Sequence, residues 1–537
     1  MIDRRKFMKT AAAIAAGSVI INPFKSRARA SRSGLDYFSV HPFVDDNPDA
    51  VFILRTDVDV KTNSNAIRQV AREFGRSVLM MTDDSSRGVP ITHNIVLKPN
   101  TTSRGRWQSD GYTVEGTMGV VTDVNFCEGI IEAMEEFGIA ANQFYMREAS
   151  CGTQDLIDGG YIDMAQRTGI SVENISSNVT SLPSSKVQWV DVPDGQWFNK
   201  LPFLWPTNSP DSWLMNLAKL KTHTMGVTLC AKNLQGLIAP YYQQHCSFWD
   251  AQMNISSSHI QPNAKSRIKS NYDRHVAEGI PRWDRPGQDG GLWMETWGTR
   301  NLDNNMVTKP GLHVIEGIYS RDGHFVIGPN DGYALDYMSN LIIFGKKSYN
   351  VDVIGTWLAG HEPGNFGLFH MAKERGLSDV LNPLDIPIYE WSFDGSATRT
   401  NLSAFDRTPL KTFYLQRDYG GQNEDYWHLC NEPYEYETIG IDFDDVTSRP
   451  RSIVLNNNYP NPFNPSTSIE YLLPQDGNAR LEIFNSRGEI VDVLVDKYHQ
   501  KGAHMVVWNS RNRPSGTYFY RLRFNDFSEV RKMTLVK

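Results

Sequence analysis

No two cysteines of this chain stand in a CxxC pair. The five present, Cys127, Cys151, Cys230, Cys246 and Cys430, are widely scattered, which excludes a compact cysteine site for zinc or an iron–sulfur cluster. Their odd number leaves at least one thiol free or intermolecular. The sequence also lacks GxGxxG, a P-loop and GxSxG, so the usual signals of dinucleotide, nucleotide and serine-hydrolase chemistry are missing. His361-Glu362 starts like a zinc-protease helix. The next histidine, His370, lies nine residues on with Pro363 and Gly364 between, and the helical HExxH geometry is absent. Basic charge is scarce as well. The chain carries a net −7, and its first thirty residues hold seven Lys+Arg against one acid, so the remainder carries −13. Broad nucleic-acid binding needs a basic surface, and no nucleic-acid partner is expected. Past the N-terminus no run approaches about eighteen apolar residues, so no transmembrane segment is expected in the mature chain.

What is present is ample core material, with 40% hydrophobic and 11% aromatic residues. A chain of this length is expected to form two to four units. The first thirty residues read as an address. A basic head with Arg4 and Arg5 precedes an apolar stretch from about Ala11 to Ile21, and Ala28-Arg29-Ala30 offers a small-residue cleavage site. That stretch is too short to cross a hydrocarbon layer of roughly 30 Å. DRRKFMK resembles the twin-arginine export signal, with Phe7 and Lys9 at the expected offsets. The resemblance implies passage of a folded protein through the twin-arginine translocase.

The C-terminal residues 453–537 alternate in period two (SIEYLL, ARLEIF, EIVDVLV, TYFYRLRF), with Pro, Gly and Asn clusters between. This pattern predicts a small all-β, immunoglobulin-like sandwich, with hairpin turns at Asn485-Ser486-Arg487-Gly488 and Pro514-Ser515-Gly516. NYPNPFNPST (458–467), SRGEIV, Val507-Trp508, PSGTYFYRL and the closing KMTLVK resemble the type A C-terminal sorting domain of the type IX secretion system. The resemblance implies transfer by the type IX machinery across an outer membrane, then release or attachment at the cell surface. Residues 441–452 (IDFDDVTSRPRS), acidic and then Pro-broken, read as a linker.

Between these ends, residues 31–440 interleave helical and strand patterns. The spacing predicts helices over 63–75, 125–139 and 159–169, and strands over 94–100, 143–150 and 187–192. Such interleaving predicts an α/β layered fold with a mostly parallel sheet, whose ligands gather beyond the carboxyl ends of its strands. Three segments resemble, in order, the family called domain of unknown function 362. They are VLKPN (96–100), MNLAKLKTHTMGVTLCAKNLQGLI (215–238) and HVIEGIYSRDGHFVIGPNDGYALDYMSNLIIFG (313–345). The similarity spans most of 85–380, with insertions around 240–310. It implies a fold and positions and no established reaction.

LMNLAKL reads as a buried strand with Lys221 and His223 emerging at its end. Lys is a compact point charge, so Lys221, Lys232 and a second candidate contact, Lys98, suit phosphate or carboxylate, and Asn233 adds donors. The same lysines would equally serve as a solvated loop face. Three acids are expected to complete the constellation. Glu316 is read in a turn before Gly317, Asp331 lies just upstream of Asp336, and Asp336 is read at the start of an apolar helix, where it would also act as a cap. With His223 these acids would bind a divalent metal or act as general bases; neither metal nor cofactor is identified. Trp427-His428-Leu429-Cys430 and His245-Cys246 are weaker metal candidates.

Two readings of function follow. In one, the chain is an exported enzyme acting on a small anionic ligand, redox-linked or metal-assisted. In the other it is a non-catalytic surface or matrix-binding protein that uses the aromatic stretch 386–440. An electron-transfer role with an externally supplied cofactor is a third.

Overall fold

SWLMNLAKLKTH, residues Ser212–His223, is buried at every position after the first. A strand without polar alternation belongs in a sheet covered on both faces, and this one is central to a ten-stranded sheet in the computed structural model. The structure describes residues 35–436 and 454–536 apart from 103–106, 109, 150, 174–178, 224–225, 241, 243–255, 282–289, 414–426, 456–457, 459–460, 474, 500–501, 511–512 and 526. The export signal at 1–30 and the linker at 441–452 lie outside the described residues. The chain divides into two compact units, Met1–Glu435 and Tyr436–Lys537.

In chain order the large sheet contains β1 (Val51–Arg55), β2 (Asn94–Pro99), β3 (Phe144–Met146), β4 (Ser171–Val172), β5 (Ser212–His223), β6 (Gly226–Thr228), β7 (Leu312–Arg321), β8 (Asp336–Gly345), β9 (Ile388–Trp391) and β10 (Ala397–Thr400). Its spatial order is β10-β9-β1-β8-β7-β5-β2-β3-β4, with β6 folded back on β5. Strands β7, β5, β2, β3 and β4 are mutually parallel, whereas β8 runs antiparallel between β7 and β1. From β2 the chain builds outward to β3 and β4, then returns to the other side of β2 to lay down β5 and β7. The boundary between β2 and β5 is therefore the topological switch point. Open parallel sheets bind ligands beyond the carboxyl ends of strands at such a boundary.

One face of the sheet carries α1 (Ser64–Val78), α2 (Val124–Glu135) and α3 (Tyr161–Thr168). Their Ile67, Phe74, Phe126, Ile130 and Met164 pack with Leu97, Met215 and Leu217. The other face carries α4 (Cys230–Asn233), α5 (Gly290–Val307), α6 (Ser348–Leu358) and α7 (Gly367–Glu374). Here Trp297, Ile354 and Phe369 join Ala218, Leu220 and Ile315. This is the α/β layered architecture, mostly parallel, that the patterning implied. The segment at 187–192 is a strand as expected, but it pairs antiparallel with Lys200–Leu204 outside the main sheet.

Two local expectations are corrected. Glu316 is not in a turn. It lies inside β7, opposite Lys219, just before a register shift between Gly317 and Tyr319. A Cβ on Gly317 would meet the Leu341 carbonyl at 3.0 Å and Leu220 at 3.1 Å, so this glycine admits close strand approach rather than reversing the chain. Asp336 does not open a helix. It begins β8, and the apolar run Leu341–Phe344 is buried between β7 and β1; the helix starts only at Ser348.

The C-terminal unit is all β. Strands β11 (Val454–Leu455), β12 (Ser466–Leu473) and β15 (Gly502–Asn509) form one sheet. A second contains β14 (Ile490–His499), β13 (Gly477–Asn485), β16 (Gly516–Phe524) and β17 (Phe527–Leu535). Ile469 and Tyr471 from the first share a core with Leu481, Ile483, Tyr520 and Leu522 from the second. The hairpin after β13 turns as its sequence indicates: Gly488 is left-handed at φ 79° and the Asn485 side chain accepts from the backbone N–H groups of Arg487 (2.9 Å) and Glu489 (3.1 Å).

Candidate functional site

Three lysine side chains are buried where β2 and β5 end, namely Lys98, Lys219 and Lys221. Burying an ammonium without a counter-charge is costly, so each needs an account. Lys98 Nζ donates to Glu148 at 2.7 Å, to the Pro99 carbonyl at 2.6 Å and to Asn233 Oδ1 at 3.1 Å. Asn233, at the end of α4, is itself fixed by donating to the Lys98 carbonyl and to Asn216 Oδ1, both at 2.8 Å. Its surroundings fully occupy this asparagine, which ties α4 to the sheet.

Lys219 stands opposite Glu316 across the β5–β7 ladder, with Nζ 2.6 Å from Oε2, and lies 3.3 Å over the Tyr319 ring. The Tyr319 hydroxyl donates to Asp123 at 2.7 Å, and Asp123 caps α2 through the Asn125 N–H at 2.8 Å. Burial pulls the Lys219 pKa down and pushes that of Glu316 up. Both groups thus move toward their neutral forms, as expected of a pair kept from water.

Lys221 differs from both. Its Nζ donates to Asn100 Oδ1 at 3.2 Å and to the Val120 carbonyl. No carboxylate pairs with it among the described residues. Burial first, then the charges of Lys232, Arg321 and Lys219, pull its pKa well below the usual lysine range. Directly across the β5–β6 hairpin, the buried Thr228 hydroxyl has no hydrogen-bond partner among the described residues. Lys232, half-buried on α4, makes no ion pair or hydrogen bond among the described residues. The switch point thus gathers Lys98, Lys221 and Lys232, and the nearby Glu148 is already occupied by Lys98.

A second ionic group borders this one. Arg321, the cross-strand partner of Lys221, donates through Nε to Asp336 at 2.6 Å and through its terminal nitrogens to the carbonyls of Phe325 (2.9 Å) and Gly116 (2.7 Å). Lys61 reaches the other Asp336 oxygen at 2.8 Å. Burial alone would raise the Asp336 pKa, but Arg321 and Lys61 overcome it and hold the carboxyl below its usual range. Two glycines make room for these acids. A Cβ at Gly119 would sit 1.9 Å from Asp336 Oδ1, and one at Gly236 would sit 1.9 Å from Glu148 Oε1.

Of the residues singled out in the sequence, Lys98, Lys221, Lys232 and Asn233 come together at the carboxyl ends of β2 and β5, while Glu316 lies within the neighbouring β7 on Lys219 and Asp336 sits on Arg321, the cross-strand partner of Lys221. Asp331 is not among them. It is exposed, in a left-handed conformation (φ 52°), in the turn between the short strands Ile327–Gly328 and Gly332–Tyr333. His223 ends β5, and its ring packs edge-on against His324 (4.7 Å) and Phe325 (5.6 Å). Sequence reasoning missed Glu148, Asp123, Arg321, Asn100 and the role of Lys219. The first had a readable signal, since it follows β3 much as Lys98 ends β2. Among the described residues no group of three or more His, Cys, Asp or Glu side chains is placed to hold a metal ion. His428 and Cys430 are buried, the former paired with Thr412 across a short ladder; Cys246 lies outside the described residues. No helix among the described residues is long and apolar enough to cross a membrane.

Residues 95–357 match the family model described as Domain of unknown function (DUF362), and residues 457–536 match that of the Secretion system C-terminal sorting domain. The first match covers the strands and loops that build the lysine cluster and supplies no activity. The second marks the chain for type IX secretion, through the periplasm to the cell surface or beyond. No curated protein matches the chain. Among solved structures it is similar to PorZ, described as an essential bacterial surface component of the type-IX secretion system of Porphyromonas gingivalis. The likeness is at 12% identity and a TM-score of 0.14, over 28% of this chain and 20% of that one.

Proposed function

We propose that the α/β unit of this type IX-exported chain is an enzyme domain that binds a small anion at the switch point of its sheet. Lys232 is the cationic contact in this reading, with the Lys221 amine beside it as a further contact, and the twin-arginine signal at 1–30 delivers the folded chain to the periplasm. The observation that carries the proposal is the contrast in pairing. Lys98 and Lys219 each hold a glutamate within 2.7 Å, while Lys221 and Lys232 hold none among the described residues. A carboxylate or phosphate would supply the missing negative charge at the place where parallel sheets collect ligands. Lys98, Asn233, Glu316 and Asp336, already bound to protein groups, serve to hold the cationic end of the sheet in shape. His223 borders it beside Phe325.

The rival reading, a matrix-binding surface built on 386–440, receives less support from the described part of that stretch. Trp391 and Phe405 are buried, and Tyr389 stacks on Phe52 at 5.5 Å. These rings serve the core.

Thermal unfolding in phosphate, sulfate and citrate at constant ionic strength tests the proposal. An anion at ten times its Kd stabilises by about 1.4 kcal/mol. The expected result is a saturable rise in Tm for the native chain that disappears in Lys232→Ala. Equal shifts in both proteins would refute it.

A further inference from the structure

We infer that Lys221 is a nucleophilic amine that forms an imine with the carbonyl carbon of a small substrate whose acid group is held by Lys232. The inference rests on the anion-site reading above and deepens it by naming a substrate class: oxo acids or aldehydes that carry a carboxylate or phosphate.

Geometry carries the assignment. An ammonium has three N–H groups to place, and a neutral amine has two and a lone pair. Around Lys221 Nζ there are two protein acceptors among the described residues, Asn100 Oδ1 and the Val120 carbonyl. They satisfy a neutral amine and leave its lone pair free. The charges that face it are cationic: Lys219 on its own strand, Arg321 opposite on β7 and Lys232 on α4. Glu148 acts in the opposite sense, but Lys98 already holds it. Desolvation beside other cations is the arrangement that turns a lysine into a carbonyl nucleophile near neutral pH. The other two buried lysines do not qualify, because each is committed to a glutamate. Lys232, half-buried on α4 and without an ion pair among the described residues, holds the acid group. The Thr228 hydroxyl, without a partner among the described residues and cross-strand from Lys221, is a donor for the substrate oxygen.

The step balances without a further reagent. The Nζ lone pair forms the C–N bond as the carbonyl π pair moves to oxygen, giving a carbinolamine. That oxygen then leaves as water with both amine hydrogens, and the nitrogen pair completes C=N. Nothing is oxidised or reduced.

Pyridoxal 5′-phosphate, an aldehyde with a phosphate arm, is the probe. The full chain is incubated with it, reduced with borohydride, and the labelled lysine located by peptide mass. The expected result is one label per chain on Lys221, slowed by inorganic phosphate. Plain pyridoxal should label about tenfold more weakly, the loss of roughly 1.4 kcal/mol of anion binding. Lys221→Arg, checked for native melting, should lose the label; the mapping on unaltered protein stands without it. Label on Lys232 or on exposed lysines with phosphate protection retained overturns the nucleophile and leaves the anion site. Label that phosphate does not slow, at lysines other than Lys221, overturns both.

Discussion

Replacing Lys219 and replacing Lys221 by methionine should have different consequences, although the two residues share a strand and both are buried. Lys219→Met strands Glu316 beside Asp123 and Tyr319 in a site kept from water. Removing one partner of such a pair costs about 3–5 kcal/mol, and exchanging both, Lys219→Met with Glu316→Leu, should recover most of it. Lys221→Met removes a group that has no carboxylate partner among the described residues. It leaves Asn100 Oδ1 and the Val120 carbonyl without a donor, at about 1–3 kcal/mol each, and relieves an amine crowded by Lys232, Arg321 and Lys219. The net cost should be smaller than that of Lys219→Met, because the relief opposes the loss. The pH dependence gives a second signature. The Lys221 pKa is depressed in the folded chain, so between that value and the ordinary lysine pKa of about 10.4 the unfolded chain binds the extra proton. The penalty is complete below this window and fades as pH rises through it. Lys221→Met should therefore compare best with the native chain at the low-pH end of this window and progressively worse toward pH 10. Guanidinium unfolding followed by tryptophan fluorescence, with the two compact units fitted as separate transitions, measures both effects. If Lys221→Met costs as much as Lys219→Met, the claim that Lys221 is unpaired is refuted.

Gly119→Ala and Gly236→Ala should each displace an acid. The new methyl would drive Asp336 off Arg321 or Glu148 off Lys98, at about 1–3 kcal/mol of overpacking before the lost ion pair is counted; calorimetric melting reads the loss, and an unchanged Tm would contradict the geometry. Asp352 accepts from the N–H groups of Cys230 (2.7 Å) and Ala231 (2.8 Å) at the start of α4, and burial pushes its pKa up to about 7. A carboxyl raised on folding costs stability as pH climbs from about 4 to 7, here by about 4 kcal/mol. Asp352→Asn should gain by that amount on the native chain between pH 4 and 8, and parallel stability profiles would show that Asp352 titrates normally. Trp391→Ala, which removes a buried ring packed edge-on against Phe52 (5.6 Å) and Phe344 (5.6 Å), should cost about 3–5 kcal/mol. Phe393→Ala, at an exposed position, should change stability by less than about 0.5 kcal/mol, and its effect on cell-envelope binding tests the rival reading directly.

Much of the architecture was legible because it rests on periodicity. Ile67, Ala71 and Phe74 recur at helical spacing, and α1 is where they point. The twelve residues of β5 are apolar enough to require cover on both faces. The misreadings came from signals that two conformations share. Gly317 after Glu316 looks like a turn, yet between two neighbouring strands a missing side chain also permits a register shift, and burial decided for the strand. LIIFG is short and wholly apolar, so its period cannot separate a buried strand from a helix start, and Asp336 reads equally well as a cap. At the site, local sequence located Lys98, Lys221 and Lys232 but was silent on their partners. Whether a lysine is a framework ion pair or an open contact depends on Glu148 and Glu316, which lie 50 and 97 residues along the chain from Lys98 and Lys219. That information belongs to the order of strands in the sheet.

The most direct test of the central claim is a crystal structure of the native chain soaked in tungstate, with the anion located by its anomalous scattering. Density within about 3 Å of Lys232 Nζ, at the carboxyl end of β5 and above Lys221, is expected. A well-ordered Lys232 bound to a protein carboxylate, with tungstate elsewhere, would contradict the account.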